Sequence, residues 1–333
     1  MEFTNIIPNG PHGQLIKNKQ FISFLTRTIN MAYNIKGDNS FPAPQPVSIE
    51  KKDFEKLKNY EYNITLKLDG TRFLLFFMLD KHQNKQTILV NRALNFFNIN
   101  IECDHNLYEG QGTLLDGELL FKDDKWVFSV HDGLYLCGNK ISRNPHDIRL
   151  SDIKFSFDLY VKNVSSNTFN LETKSFYKFS DINNFIDNVY CDPNNLKLSD
   201  GIILMPNKLP VVSGTQYSMF KWKPDNKHTF DFQINENETM DDMTVKVYHL
   251  NKLIDFAKIK YSTEQGKDFV DKLKNLDNYK NECIVECYFD KDKQNFTPFL
   301  IRTDKTHPNS LRTIERTLFN IKEDIQIDNF KNI

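Results

Sequence analysis

The sequence predicts an α+β protein of two domains built mainly on antiparallel sheets, and three observations lead there. First, 333 residues exceed what one hydrophobic core usually holds. Second, most apolar segments are short, rich in β-branched and aromatic residues, and bounded by turn signals. Third, a few segments carry apolar residues at helical spacing between and after these strands.

Taken in order, the chain opens on an Asn- and Lys-rich stretch and reaches FPAPQPVSIEKKDFEKLK (41–58), whose three prolines impose an extended approach. Ser48 followed by Lys51, Phe54 and Leu57 then predicts a short capped helix. Strands follow in NITLKLDGTRFLLFFM, TILVNRAL, TLLDGELLF and KWVFSVHDGLYLC. The stretch from about Asp147 to Val164 reads as either helix or strand, and Phe179 to Tyr190 as helix. A second β-rich segment runs from about His228 to Arg302, and LRTIERTLFNIKEDI closes the pattern as an amphipathic helix with Leu311, Ile314, Leu318 and Ile321 on one side.

Composition narrows the function. With 43 basic and 44 acidic residues the net charge is −1, so no broad electropositive field grips a long nucleic acid, and any RNA contact is local. Five cysteines without a C-x-x-C pair argue against both a disulfide framework and a zinc site. They read as reduced thiols of an intracellular, soluble protein whose longest apolar run, Phe73 to Leu79, is far below the ~18–20 residues that span a bilayer.

Glycine is scarce, 12 in all, yet four follow aspartate: Asp69-Gly70, Asp116-Gly117, Asp132-Gly133 and Asp200-Gly201. Asp-Gly favours hairpin turns, a reading that stays open above all for Asp132-Gly133. The other three flank Lys67, Glu118 and the apolar strand IILM. In FKWKP, Lys221 and Lys223 stand two apart, which on a strand turns both ammonium groups to one face. An anion such as phosphate between them relieves their repulsion; a solvated edge is the alternative.

In order, KLDGTR (67–72), LLDGELL (114–120), DGIILM (200–205), FKWKP (220–224) and IRTDKTHPN (301–309) resemble the motif series of the covalent nucleotidyltransferases, the superfamily of mRNA guanylyltransferases and polynucleotide ligases. Together with the segment from Phe41 to Lys58, they are similar to the compact capping enzymes of large algal viruses. The resemblance implies a nucleotidyltransferase domain (ligase/capping-enzyme, ATP-grasp-like) over residues 1–226 and a C-terminal OB-fold β-barrel over 227–312. A helix over 313–333 is expected to pack back on the first domain, with a cleft between the domains that opens and closes.

The implied activity is capping guanylyl transfer: Lys67 attacks the α-phosphate of GTP, pyrophosphate leaves, and GMP passes to the 5′-diphosphate end of RNA. An ammonium cannot attack phosphorus, and neutralising a lysine of ordinary pKa costs at least about 4 kcal/mol at neutral pH, so burial and nearby cations must lower that cost. By resemblance, Arg72 and Glu118 hold the ribose, Arg92 reaches the nucleotide, and Lys221 with Lys223 contact phosphates. Asp200, with Glu118, is a carboxylate for Mg²⁺ or Mn²⁺, and Asp231 matches an aspartate of less defined role. Arg302, Asp304 and Lys305 orient the departing pyrophosphate. Lys174 matches a lysine that reads the guanine edge. His131 stands where relatives stack an aromatic ring on the purine; imidazole also stacks, and a hydrogen-bonded hairpin histidine is the alternative.

Two rival readings are a polynucleotide ligase driven by ATP through the same lysyl chemistry, and a non-catalytic module that binds RNA 5′ ends. The KWKP and R-x-D-K-x-x-P-N motifs favour capping over ligation, and the intact lysines and arginines favour an enzyme over a binder. The motif series occupies nearly the whole chain. The expectation is therefore a monomer that performs guanylyl transfer alone, beside a separate RNA triphosphatase and cap methyltransferase.

Overall fold

In a computed structural model of the chain, residues 3–36, 40–234, 242–260, 283–302 and 305–333 are described. They divide into a first unit, Met1–Trp222 with Phe330–Ile333, and a second, Lys223–Asn329. Antiparallel pairing dominates the sheets of both, in keeping with the α+β prediction. Among the described residues no helix is long and apolar enough to cross a membrane.

The first unit contains two sheets. The larger has nine strands among the described residues: β1 (Phe3–Asn5), β2 (His12–Leu15), β5 (Thr71–Leu79), β6 (Lys85–Val90), β7 (Phe96–Asn98), β8 (Thr113–Lys122), β9 (Lys125–Leu136), β10 (Asn139–Lys140) and β11 (Asn170–Thr173). Their order is β1-β2-β7-β6-β5-β8-β9-β10, with β11 pairing β9 in parallel. Both faces are covered. Phe73, Leu75 and Phe77 of β5 join one apolar cluster with Ile153 and Phe157 of helix α3 (His146–Tyr160). Leu74, Phe76 and Met78 join another with Leu25 and Ile29 of helix α1 (Lys19–Ala32). Strand β5 thus reads as a continuous apolar run because it is buried on both sides. Helix α1 was not expected in the polar opening. Its start is fixed by Asn18, whose side chain accepts from the Gln20 and Phe21 amides.

The smaller sheet orders its strands β12-β4-β13-β14-β3, namely β12 (Tyr177–Lys178), β4 (Tyr62–Leu68), β13 (Ser199–Pro206), β14 (Thr215–Trp222) and β3 (Gln45–Ser48). The expected single strand NITLKLDGTRFLLFFM is therefore two, β4 and β5, in different sheets, separated by Asp69-Gly70. Nor does Asp-Gly make a hairpin elsewhere: Asp116-Gly117 and Asp132-Gly133 lie inside β8 and β9, and Asp200-Gly201 inside β13. The stretch after Asp147 that read as helix or strand is helix α3. Ser48 ends β3 instead of capping the next helix. That role falls to Glu50 and Asp53, which exchange side-chain and backbone hydrogen bonds in a capping box ahead of α2 (Phe54–Asn59).

In the second unit, β15 (Thr229–Ile234), β16 (Asp242–His249), β17 (Lys252–Lys260), β18 (Cys283–Asp290) and β19 (Asn295–Ile301) form one antiparallel sheet in the order β17-β16-β15-β18-β19. Among the described residues no ladder joins β17 to β19, so the expected closed OB barrel is not formed by the described pairings. Phe230, Phe232, Val245, Val247 and Val285 make its core. The C-terminal helix, Leu311–Glu323, belongs here and not on the first unit: Ile314 and Ile321 are buried in that core, with Leu311 and Leu318 beside it. Its apolar stripe is satisfied by the sheet of its own unit. Only the last four residues return to the first unit, where buried Phe330 packs against Trp222 and Phe54 at ring separations of 5.9 and 5.5 Å.

Candidate active site

Lys67 lies near the end of β4, and its Nζ is 2.9 Å from Oδ2 of Asp200. The aspartate is aimed by a break in register: Ser199 pairs with Leu68 and Ile202 with Leu66, leaving Asp200 and Gly201 in a bulge. Gly201 takes φ 143°, a conformation that side-chain-bearing residues rarely adopt. Across the same sheet Thr65, Ile203, Lys221 and Ser48 are directly paired, which puts Lys221 on the face that carries Lys67. Phe220 and Trp222 turn to the opposite, buried side. Strand β14 ends at Trp222, so Lys223 lies beyond it and is grouped with the second unit.

The larger sheet contributes a second row. Arg72 of β5 pairs with Glu118 of β8, Glu118 with Ser129 of β9, and Ser129 with Glu172 of β11. Because cross-strand partners share a face, these four side chains stand side by side, opposite the face that buries Phe73, Leu119, Phe128 and Leu171. Lys174, just after β11, sends its buried Nζ to Glu118 Oε2 at 3.0 Å. Thr65 donates to the Ser175 carbonyl at 2.7 Å and so ties the Lys67 face of the small sheet to this row.

Beneath the row lies an ion pair that motif reading did not single out. Arg72 donates to both oxygens of Asp116, Nε to Oδ1 at 2.8 Å and Nη2 to Oδ2 at 2.5 Å, and through Nη1 to the Pro44 carbonyl at 2.7 Å. His131 adds Nε2 at 3.2 Å from Asp116 Oδ1. Burial alone raises the pKa of Asp116, but Arg72 and then His131 outweigh it and hold the carboxyl well below the usual range. Burial works against the Arg72 cation too, and Asp116 more than restores it. At Glu118 burial is overcome by Lys174, then His131, with Lys67 also contributing, so its pKa is lowered. His131 itself is the unpaired residue of a bulge: Asp116 pairs with Asp132 and Gly117 with Val130. It is not a hairpin histidine, and its ring is engaged with Asp116. Arg92 sits exposed on the turn after β6, within electrostatic reach of Arg72, Asp116 and Glu118.

The bulge around His131 is held from behind. Asp132 receives Arg149 at 2.7 and 2.9 Å, both side chains being almost fully buried. His146 Nε2 lies 3.0 Å from the His131 carbonyl, and its Nδ1 3.1 Å from Nδ2 of Asn63 on β4.

In the second unit the late motif converges on Asp231 of β15. Arg302 Nη1 lies 3.2 Å from its Oδ1 and 3.1 Å from Glu286 Oε2, Lys305 Nζ pairs with its Oδ2, and Asn309 Nδ2 donates to Oδ2 at 3.2 Å. Asn309 also accepts from the Asp231 amide at 3.0 Å. Asp231 therefore organises the motif, and Asn309, its last residue, completes it with Glu286, which sequence reading passed over. Asp304 lies outside the described residues.

The sequence profile of the mRNA capping enzyme catalytic domain matches residues 13–225, and that of the mRNA capping enzyme C-terminal domain residues 214–330. Among relatives, the mRNA-capping enzyme subunit alpha of Schizosaccharomyces pombe is 27% identical over 86% of this chain and 78% of its own length. That of Saccharomyces cerevisiae is 24% identical over 90% and 79%. A solved structure of mycobacterial DNA ligase D complexed with ATP and MES superposes with a TM-score of 0.43 at 12% identity, covering 82% of this chain and 98% of that one.

Proposed function

The chain belongs to the mRNA capping enzyme family and is an mRNA guanylyltransferase, and we propose that it transfers GMP through Lys67 to the 5′-diphosphate end of RNA. The observation that carries this reading is the pairing of Lys67 with Asp200 at 2.9 Å on the sheet face that also presents Lys221. Nζ gives up one proton to water to become the neutral amine, forms the P–N bond to the α-phosphorus of GTP as the bond to pyrophosphate breaks, and releases a second proton to water. A terminal oxygen of the RNA diphosphate then attacks the same phosphorus, the P–N bond breaks, and the Lys67 nitrogen takes one proton from water to leave as the amine and a second to return to the ammonium.

Each neighbour has a role set by its chemistry. Asp200 orients Nζ, and Lys221 offsets charge on the phosphoryl oxygens. Arg72, stiffened by Asp116, and Glu118, held by Lys174, take the ribose hydroxyls, with Arg92 and His131 flanking the nucleotide. Arg302 and Lys305, gathered by Asp231, serve the departing pyrophosphate, together with Asp304 and Lys223. Asp200 and Glu118 suit Mg²⁺ or Mn²⁺: both are hard oxygen donors, and among the described residues no cluster of three or more His, Cys, Asp or Glu forms a complete protein cage. Two carboxylates leave positions for phosphate oxygens and water, the usual arrangement for such ions, which when bound supply charge stabilisation at the phosphoryl group.

The test is covalent labelling. Wild type incubated with α-labelled GTP and Mn²⁺ acquires an acid-labile, alkali-stable label, Lys67→Ala acquires none, and α-labelled ATP gives none with either. A labelled Lys67→Ala protein, or labelling by ATP alone, overturns the assignment.

A further inference from the structure

Three buried hydroxyls of the first unit have no hydrogen-bond partner among the described residues: Tyr33, Ser129 and Ser199. All three border the candidate site. Tyr33 is within electrostatic reach of Asp116 and Arg72, Ser129 pairs across the strands with Glu118, and Ser199 precedes Asp200. A buried hydroxyl left unpaired costs free energy that a folded protein rarely tolerates without use, so each marks a place where a ligand or water completes the bonding.

Ser129 is the one whose surroundings identify the ligand. It is 1% exposed and lines a cavity of about 200 Å³, together with Thr65, Lys174, Tyr177 and Leu198. In the row Arg72–Glu118–Ser129–Glu172 it stands one strand beyond Glu118, on the side away from Arg72 and next to Lys174. If Arg72 and Glu118 take the ribose, the next group along the row meets the base.

We propose that Ser129 is a specificity-determining residue that accepts a hydrogen bond from the 2-amino group of the guanine of GTP. The proposal rests on the guanylyltransferase reading above. The reasoning is complementarity. Lys174 only donates, so on a purine edge it seeks the carbonyl acceptor of guanine, and the adjacent donors of that edge need an acceptor in turn. Ser129 Oγ is a buried acceptor on this wall with no hydrogen-bond partner among the described residues. Adenine offers no carbonyl to the ammonium and no 2-amino group to the serine.

Ser129→Ala and wild type are compared by label formation with GTP and with inosine triphosphate, which lacks only the 2-amino group. One neutral hydrogen bond predicts that wild type has a KM about five- to tenfold lower for GTP than for the inosine nucleotide. In Ser129→Ala that preference falls to about twofold or less, chiefly through a raised KM for GTP at little changed kcat. The ligand-free variant melts at or above the wild-type temperature, because a buried unpaired hydroxyl has been removed, and Ser129→Thr, which keeps the oxygen, retains the preference. An unchanged ratio of the two nucleotides in Ser129→Ala, or a variant destabilised without ligand, overturns the proposal. Absence of label from wild type with GTP overturns the underlying assignment instead.

Discussion

Replacing Asp116 by asparagine tests the foundation of the site, because the carboxylate does not itself face the cavity and acts through Arg72 and His131. The side chain is 2% exposed and Arg72 10%, so the pair exchanges little with water. Removing one partner of a buried ion pair typically costs about 3–5 kcal/mol, since the other charge stays buried without compensation. Asparagine keeps the shape and one acceptor oxygen, and the Pro44 carbonyl still accepts from Nη1, so the lower end, about 3 kcal/mol, is expected. The assay is urea unfolding followed by a probe of the first unit, with the denaturant slope used to check that the unfolding reaction is unchanged. The double variant Arg72→Gln/Asp116→Asn, which removes both charges, should recover at least half the loss, a coupling that marks direct interaction. Guanylylation should fall in both variants, because Arg72 is no longer held in the first and is absent from the second. A loss under about 1 kcal/mol for Asp116→Asn, or no recovery in the double variant, would show that Arg72 does not depend on this carboxylate and refute the reasoning.

Two further outcomes follow from other parts of the molecule. Asp231→Ala strips Arg302, Lys305 and Asn309 of their common acceptor; at about 1.5–3 kcal/mol for a charged hydrogen bond, it should destabilise the second unit by roughly 3 kcal/mol, seen in urea unfolding. It should also raise the KM for pyrophosphate in the reverse reaction, and an unchanged value would separate this cluster from the leaving group. Burial, outweighing the attraction of Asp132, lowers the pKa of His146, so the imidazole is kept neutral. The unfolded chain protonates near ~6.5 and the folded one only lower, so this contribution is complete above about pH 6.5 and is lost as pH falls toward the folded value. His146→Gln should therefore flatten the urea midpoint against pH between about 7 and 5, and superimposable profiles would exclude the histidine as the cause.

Much of the site was legible because its chemistry is local in the chain. Lys67 with Asp69-Gly70, the glutamate after Asp116-Gly117 and the late Arg302–Lys305 run are short strings of residue types that covalent nucleotidyl transfer requires, and spacing alone brings them to notice. Strand identities were legible for the same reason, since period-two alternation and turn residues act over a few positions. Helix α1 escaped although its signal is local: Asn18 is an N-cap residue, and Phe21, Ile22, Leu25, Ile29 and Ala32 recur at helical spacing inside the polar opening.

What the sequence by itself determined, then, is a set of candidate reactive groups and the periodicity of the elements that carry them. The tertiary structure alone decided which sheet each strand joins, sending β4 and β5 apart at Asp69-Gly70, and which carboxylate answers which cation. Asp116 and Asp132 look alike as Asp-Gly pairs and face each other across the strands beside the bulge at His131, yet one receives Arg72 and the other Arg149. Partners 44 and 17 residues apart are joined by strand pairing and burial, which depend on the free energy of the whole fold and leave no mark in the spacing of a motif.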